Sequence, residues 1–194
     1  MKKTRIIFAL IYIGILSSVM MSCSKNEDGN GKTPTPNPPD PSLPQQLTDV
    51  ELMDKVQEQT FKYFWDFAHP VSGLARERSD ANAYGGEAPN IVTTGGSGFG
   101  VMAIIVGVER NYISRDEAVE RLNKITNFIL DGDRFHGALP HWYNGNTGKV
   151  RPFFTEDNGG DLVETSFMIQ GLLAARQYFD LDTSEEKALR DNIN

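Results

Sequence analysis

Apolar residues recur along the chain at helical spacing, in stretches of two different kinds. Thr48-Asp49-Val50-Glu51 has the capping-box pattern, and Met53, Val56, Thr60, Phe64 and Phe67 follow at intervals of three and four. This predicts an amphipathic helix ending near His69-Pro70. Gly98 to Val108 carries Phe99, Val101, Met102, Ile104, Ile105 and Val106 with no charge before Glu109, so a helix here is apolar all round and expected to be buried on every side. Ser114-Arg115-Asp116-Glu117 opens a third helix with a second capping box, and Ala118, Leu122, Ile125 and Ile129 form one stripe. Asp161 to Phe179 is apolar on both faces again, and Thr183-Ser184-Glu185-Glu186 starts a charged fifth helix.

Amphipathic helices therefore alternate with apolar ones. Helical hairpins arranged as an inner ring wrapped by an outer ring explain that order, so the expected fold class is all-α, a partial α/α six-hairpin toroid. The alternative, a four-helix bundle, would give each helix a single apolar stripe. Four helices and the start of a fifth cannot close a ring. Residues 47–194 thus read as the N-terminal part of a longer domain, with inner helices exposed on one side and no activity expected of the chain alone. Between the third and fourth helices, Asp133 to Gly160 is long for a connector and so a candidate functional segment. Within it, His141-Trp142-Tyr143, the turn formers Asn144-Gly145-Asn146-Thr147-Gly148 and Lys149 to Phe154 predict a small β-hairpin.

The first 46 residues follow other rules. Met1 to Arg5 is cationic, Ile6 to Met21 is uncharged and apolar, and Ser22-Cys23 follows; residues 1–22 read as a signal peptide with lipidation at Cys23. The apolar run is shorter than the ~20 residues that a spanning helix requires. Residues 23–46 read as a proline-rich tether, with Pro34, Pro36, Pro38, Pro39, Pro41 and Pro44 favouring an extended chain. The acidic stretch after Cys23 suits an outer-membrane lipoprotein at the cell surface or facing the periplasm.

Charge narrows the partners. The formal net charge is −7, and removal of Lys2, Lys3 and Arg5 takes it to −10, which disfavours nucleic acid and anionic lipid headgroups as ligands. A lone cysteine rules out a disulfide framework and a four-cysteine zinc site. His136 and His141 have no third partner at metal spacing, and Gly159 stands where an EF-type calcium loop needs an oxygen ligand. No cofactor or metal is expected. Thr93 to Gly100 lacks the third glycine and the βαβ context of a dinucleotide loop, so its glycines read as sites of close backbone packing.

Two groups of residues suit chemistry on a sugar. Glu156-Asp157-Asn158-Gly159-Gly160-Asp161-Leu162-Val163-Glu164 crowds acids where a loop enters an apolar helix. Capping of that helix by Asp161, completed by Glu164, explains two of the acids and leaves Asp157 and Glu156 over. The flat rings and polar tips of Trp142 and Tyr143, with His136 and His141 nearby, suit saccharide binding; packing of the hairpin onto the helices is the alternative.

Phe64-Trp65-Asp66-Phe67, Val92 to Gly100, Arg134-Phe135-His136-Gly137, His141-Trp142-Tyr143-Asn144-Gly145 and Asp157 to Ser166 occur in the same order in the glucoamylase-like domain family, glycoside hydrolase family 144, which the chain resembles over roughly residues 48–194. The resemblance implies an α/α toroid and an inverting endo-β-1,2-glucanase acting on β-glucan, in a family with many lipoproteins. It also implies that Asp157, Asp161 and Glu164 are the cleft acids of this sequence, with a further acid downstream of Asn194. A glycan-binding lipoprotein without turnover and a polysaccharide lyase are the other readings.

Overall fold

The computed structural model describes residues 47–194; the predicted signal peptide, Cys23 and the tether lie outside the described residues. The elements are α1 (Asp49–Trp65), β1 (Ile91–Thr93), α2 (Thr94–Glu109), α3 (Arg115–Asp131), β2 (Trp142–Asn144), α4 (Leu162–Tyr178) and α5 (Ser184–Ile193), with two short 3-10 turns at Ala83–Gly86 and Ala88–Asn90. The protein is mostly helical, in keeping with part of an α/α toroid. Among the described residues no helix is long and apolar enough to cross a membrane.

Local signals set the helix starts. Both capping boxes form: the Thr48 amide donates to Glu51 at 2.8 Å and the Ser114 amide to Glu117 at 2.8 Å, while each hydroxyl accepts the amide three residues on. Thr183 caps α5 by accepting the Glu186 amide at 3.2 Å. One outer helix is tied to another by Arg115 of α3, whose guanidinium donates to both carboxylate oxygens of the buried Glu186 at 2.7 and 3.1 Å. The core runs between the layers, through Val101 and Ile104 of α2, Leu122 and Ile125 of α3, Met168 and Leu172 of α4 and Leu189 of α5.

Glycine decides the α2–α4 packing. A Cβ on Gly98 would lie 2.2 Å from the Phe167 carbonyl oxygen, and one on Gly171 would lie 2.3 Å from the Gly98 carbonyl oxygen. The two helices therefore meet backbone to backbone, and α2 starts at Thr94, four residues before the predicted start at Gly98. Helix α1 ends earlier than predicted, at Trp65, and His69 sits in the loop beyond it with its amide bonded to the Leu74 carbonyl.

The predicted hairpin forms around the Asn144–Gly148 turn, with Tyr143 opposite Val150 and the Arg151 amide bonded to the Trp142 carbonyl at 2.9 Å. The longer partner of β2 is β1, an element the hydrophobic pattern did not mark. Ile91, Val92 and Thr93 pair antiparallel with Asn144, Tyr143 and Trp142, and Arg76 bridges the other side of Val92.

Among the described residues α2 and α4 are not buried on every side, as their composition alone suggests, but exposed on one side, as expected of a partial ring. Phe99, Met102 and Val106 of α2 and Val163, Ile169 and Leu173 of α4 are exposed, together with Leu162 at 78%. Each inner helix has one covered side and one apolar side facing outward, as a layer of few helices requires.

Candidate active site

The N-termini of α2 and α4 converge, and the segment 139–141 runs between them. The Asp161 amide donates to the Leu139 carbonyl at 2.8 Å, and the Leu139 amide donates to the Thr165 hydroxyl at 2.9 Å. On the other side the Thr94 amide donates to the His141 carbonyl at 3.1 Å, and the Thr94 hydroxyl to the Pro140 carbonyl at 2.5 Å. These four bonds present His141 to the first turn of both helices.

His141 stands between two carboxylates. Its Nδ1 is 3.1 Å from Asp161 Oδ2, within hydrogen-bond distance, and its Nε2 is 3.8 Å from Glu164 Oε1, beyond it. Asp161 caps α4 as expected, its Oδ1 accepting the Val163 and Glu164 amides at 2.9 and 3.0 Å. Glu164 does not complete a capping box with it. Instead its Oε2 accepts the Gly95 amide at 2.7 Å, with the Thr93 hydroxyl at 3.4 Å, so a side chain of α4 caps α2. That role suits the local chemistry, because Thr93 provides no side-chain cap of its own. Two helix N-termini thus face two acids, an arrangement that favours negative charge at this point.

An aromatic wall extends from the imidazole. Trp142 stacks on His141 with centroids 3.7 Å apart and planes at 20°, and Phe153 lies 3.8 Å from Trp142. Asp157 supports that wall from its loop, where Oδ2 accepts the Phe153 amide at 3.3 Å and its own amide bonds the Phe154 carbonyl.

Of the residues singled out from sequence, His141, Trp142, Asp161 and Glu164 come together. Asp157 joins through Phe153 and has no direct bond to the other two acids. His136 occupies the exposed tip of a tight turn, with φ 54° there, φ 92° at Gly137, and Phe135 paired with Ala138 on either side. Tyr143 is a correction. Successive strand residues point to opposite faces, so its ring goes into the core where Trp142 goes to the site; it is fully buried and its hydroxyl donates to the Asp133 carbonyl at 2.9 Å. The Gly95 amide and the Thr93 hydroxyl hold Glu164, a role that the expectation of close glycine packing does not include. No sequence signal marks this role, because Thr93 is itself a capping residue type.

Chemically the site offers two carboxylates, an imidazole and a stack of rings in which Trp142 lies between His141 and Phe153, a set that can bind hydroxyl groups and move protons. Among the described residues no cluster of three or more His, Cys, Asp or Glu side chains has the geometry to hold a metal ion.

Comparison with known proteins places the chain beside solved and characterised relatives. No family model matches the chain. An endo-β-1,2-glucanase from Chitinophaga pinensis, solved with sophorotriose and glucose, is 59% identical with a TM-score of 0.73, over 76% of this chain and 36% of its own. A β-1,2-glucanase structure from Parabacteroides distasonis is 51% identical with a TM-score of 0.70, over 76% of this chain and 20% of its own. An exo β-1,2-glucooligosaccharide sophorohydrolase from the same species is 52% identical over 149 residues, again 76% of this chain and 20% of that protein. The chain thus spans about a third of the first of these relatives and a fifth of the other two. At 51–59% identity over about three quarters of its length, the chain is thus similar to β-1,2-glucan hydrolases of the glycoside hydrolase family 144 type.

Proposed function

We propose that the whole protein, and not residues 47–194 by themselves, hydrolyses a neutral β-glucan with β-1,2 linkages, as an inverting endo-acting enzyme. The observation that carries the reading is the Asp161–His141–Glu164 group beside the Trp142 wall, in a chain 59% identical to an endo-β-1,2-glucanase. The net charge of −7 supports an uncharged polymer over a polyanionic one.

Inverting hydrolysis needs two carboxyl groups about 6.5–9.5 Å apart, with a water held between one of them and the sugar. Asp161 and Glu164 share one imidazole, and each also caps a helix. Their role in this reading is to orient His141 and to accept hydrogen bonds from sugar hydroxyls. Asp157, on a loop and tied to no helix end, is the residue assigned to positioning the water, opposite an acid outside the described group.

The test is incubation of the whole protein with β-1,2-, β-1,3- and β-1,4-glucans, reading reducing ends and product lengths. Cleavage of the first alone is expected; cleavage of another and not the first overturns the linkage. Asp157→Asn should lower kcat by about 10²-fold or more with little change in KM. An unchanged kcat removes Asp157 from the mechanism.

Residues 1–22 and 23–46 are, in the same reading, a lipoprotein signal and a tether that hold the 47–194 domain at the outer membrane. Charged start, apolar run and cysteine in that order support it. Cell fractionation of the wild type and of Cys23→Ala decides: the wild type should sediment with membranes and the variant should not.

A further inference from the structure

Beyond the acids and His141, the aromatic wall continues to residues that the sequence did not single out. Tyr84 sets its ring edge-on to Phe153, 4.7 Å between centroids and at 90°, so rings follow one another without a break from His141 through Trp142 and Phe153 to Tyr84. The guanidinium of Arg78 lies over Tyr84, 4.4 Å from its centroid.

This outer end is held in place. Arg78 donates to Glu77 from Nε, and from Nη2 at 2.8 Å, while the Tyr84 hydroxyl donates to Glu77 Oε2 at 3.2 Å. The Glu77 amide is bonded to the Ile91 carbonyl at 3.0 Å, which ties the group to the same sheet that carries Trp142. Arg78 holds the Glu77 carboxyl below the usual range, with the Tyr84 hydroxyl and His141 adding to the effect against burial. Among the described residues Arg78 Nη1 has no hydrogen-bond partner, and the side chain is 43% exposed.

The backbone here is costly. Tyr84, Gly85 and Gly86 have φ of 54°, 66° and 89°, a left-handed conformation that is unfavourable for a residue other than glycine. A Cβ on Gly85 or Gly86 would meet nothing within 4 Å, so conformation and not crowding accounts for these glycines. Tyr84 lies outside the core, and core packing does not explain why a strained turn presents an aromatic ring.

We propose that Arg78 and Tyr84 form a saccharide subsite at the far end of the wall, which takes a glucosyl unit of a chain already engaged at His141. A guanidinium fixed by one carboxylate keeps a free N–H for hydroxyl oxygens, and a fixed ring offers an apolar face and edge to a pyranose. The subsite rests on the glucan reading above and deepens it by giving the site length: long oligosaccharides reach Arg78 and Tyr84, and a disaccharide does not.

The experiment is calorimetric titration of the full chain with β-1,2-linked glucooligosaccharides from the disaccharide upward. The wild type is compared with Arg78→Ala, Arg78→Lys and Tyr84→Gly, the last of which keeps the left-handed backbone. Arg78→Ala and Tyr84→Gly should bind the longer ligands at least about tenfold more weakly and the disaccharide unchanged. Arg78→Lys, which keeps the charge without the fork, should fall between. Thermal melts identify any variant that fails to fold, in which case Arg78→Lys decides. Wild-type affinity for long ligands in the variants overturns the subsite, and so does an equal loss for short and long ligands, which marks a structural role. Absence of binding by the wild type at every length overturns the glucan reading and this inference with it.

Discussion

The Glu164 carboxylate on the first turn of α4 accepts the Gly95 amide on the first turn of α2 at 2.7 Å. An acid from one inner helix thus satisfies an amide that the other leaves open. Hydrogen bonds to charged groups contribute about 1.5–3 kcal/mol, so Glu164→Ala should lower stability by about 2 kcal/mol. Glu164→Gln, which keeps an acceptor and loses the charge, should cost about half of that. Chemical denaturation of the three proteins checks both figures; equal stability of wild type and alanine variant would remove Glu164 from the fold and leave it to the chemistry alone.

Trp142 and Tyr143 are neighbours with opposite duties. Tyr143→Phe removes only the bond to the Asp133 carbonyl and should cost about 1 kcal/mol of stability, with saccharide affinity unchanged. Trp142→Ala removes the ring stacked on His141 and should weaken saccharide binding by about tenfold or more. Melting curves and ligand titrations on both variants separate the two, and the opposite pattern would reverse the assignment.

Buried His69 makes the fold sensitive to mild acid. Burial pushes its pKa down, and the nearby cations Arg76 and Lys124 add to that. The unfolded chain takes up a proton near the ordinary value of about 6.5, while the folded protein resists until lower pH. The unfolded state therefore binds more protons in that interval, and stability falls as pH drops through it. Denaturation midpoints at about pH 7.5 and about pH 5.5 should differ in the wild type and differ less in His69→Gln. The same difference in both proteins would place the acid sensitivity elsewhere.

Gly98→Ala and Gly171→Ala should each cost about 3 kcal/mol or prevent folding, because the added carbon meets backbone that cannot move aside. Gly159, where a Cβ would meet nothing within 4 Å, serves as control, and its alanine variant should stay within about 0.5 kcal/mol of the wild type. Urea denaturation of the three variants is sufficient.

What could be read from the sequence was local. The capping boxes at Thr48 and Ser114 lie within single turns, and Asp161 caps α4 from the adjacent position, so each declared itself in four residues. The start of α2 did not, because Thr94 to Gly100 has the glycine content of a loop. Its glycines serve contacts with Glu164, Phe167 and Phe64 on other helices, and no propensity scale contains those. Strand β1 is three residues long and finds its partner about fifty residues later in the chain, too short and too distant for periodicity to register. The acids of the site were visible as a cluster. Their shared partner His141 emerged only when Leu139 was bonded to both Asp161 and Thr165.

Thr93 is the last residue of β1 and also the N-cap of α2, so no connecting residue separates strand from helix. It pairs with Trp142 across the sheet. A sugar pressing on the indole would load that pair, and with no slack in the chain the load passes directly into the first turn of α2, where Gly95 holds Glu164. The aromatic stack and the carboxylates are therefore joined through a single backbone junction, Thr93 to Gly95.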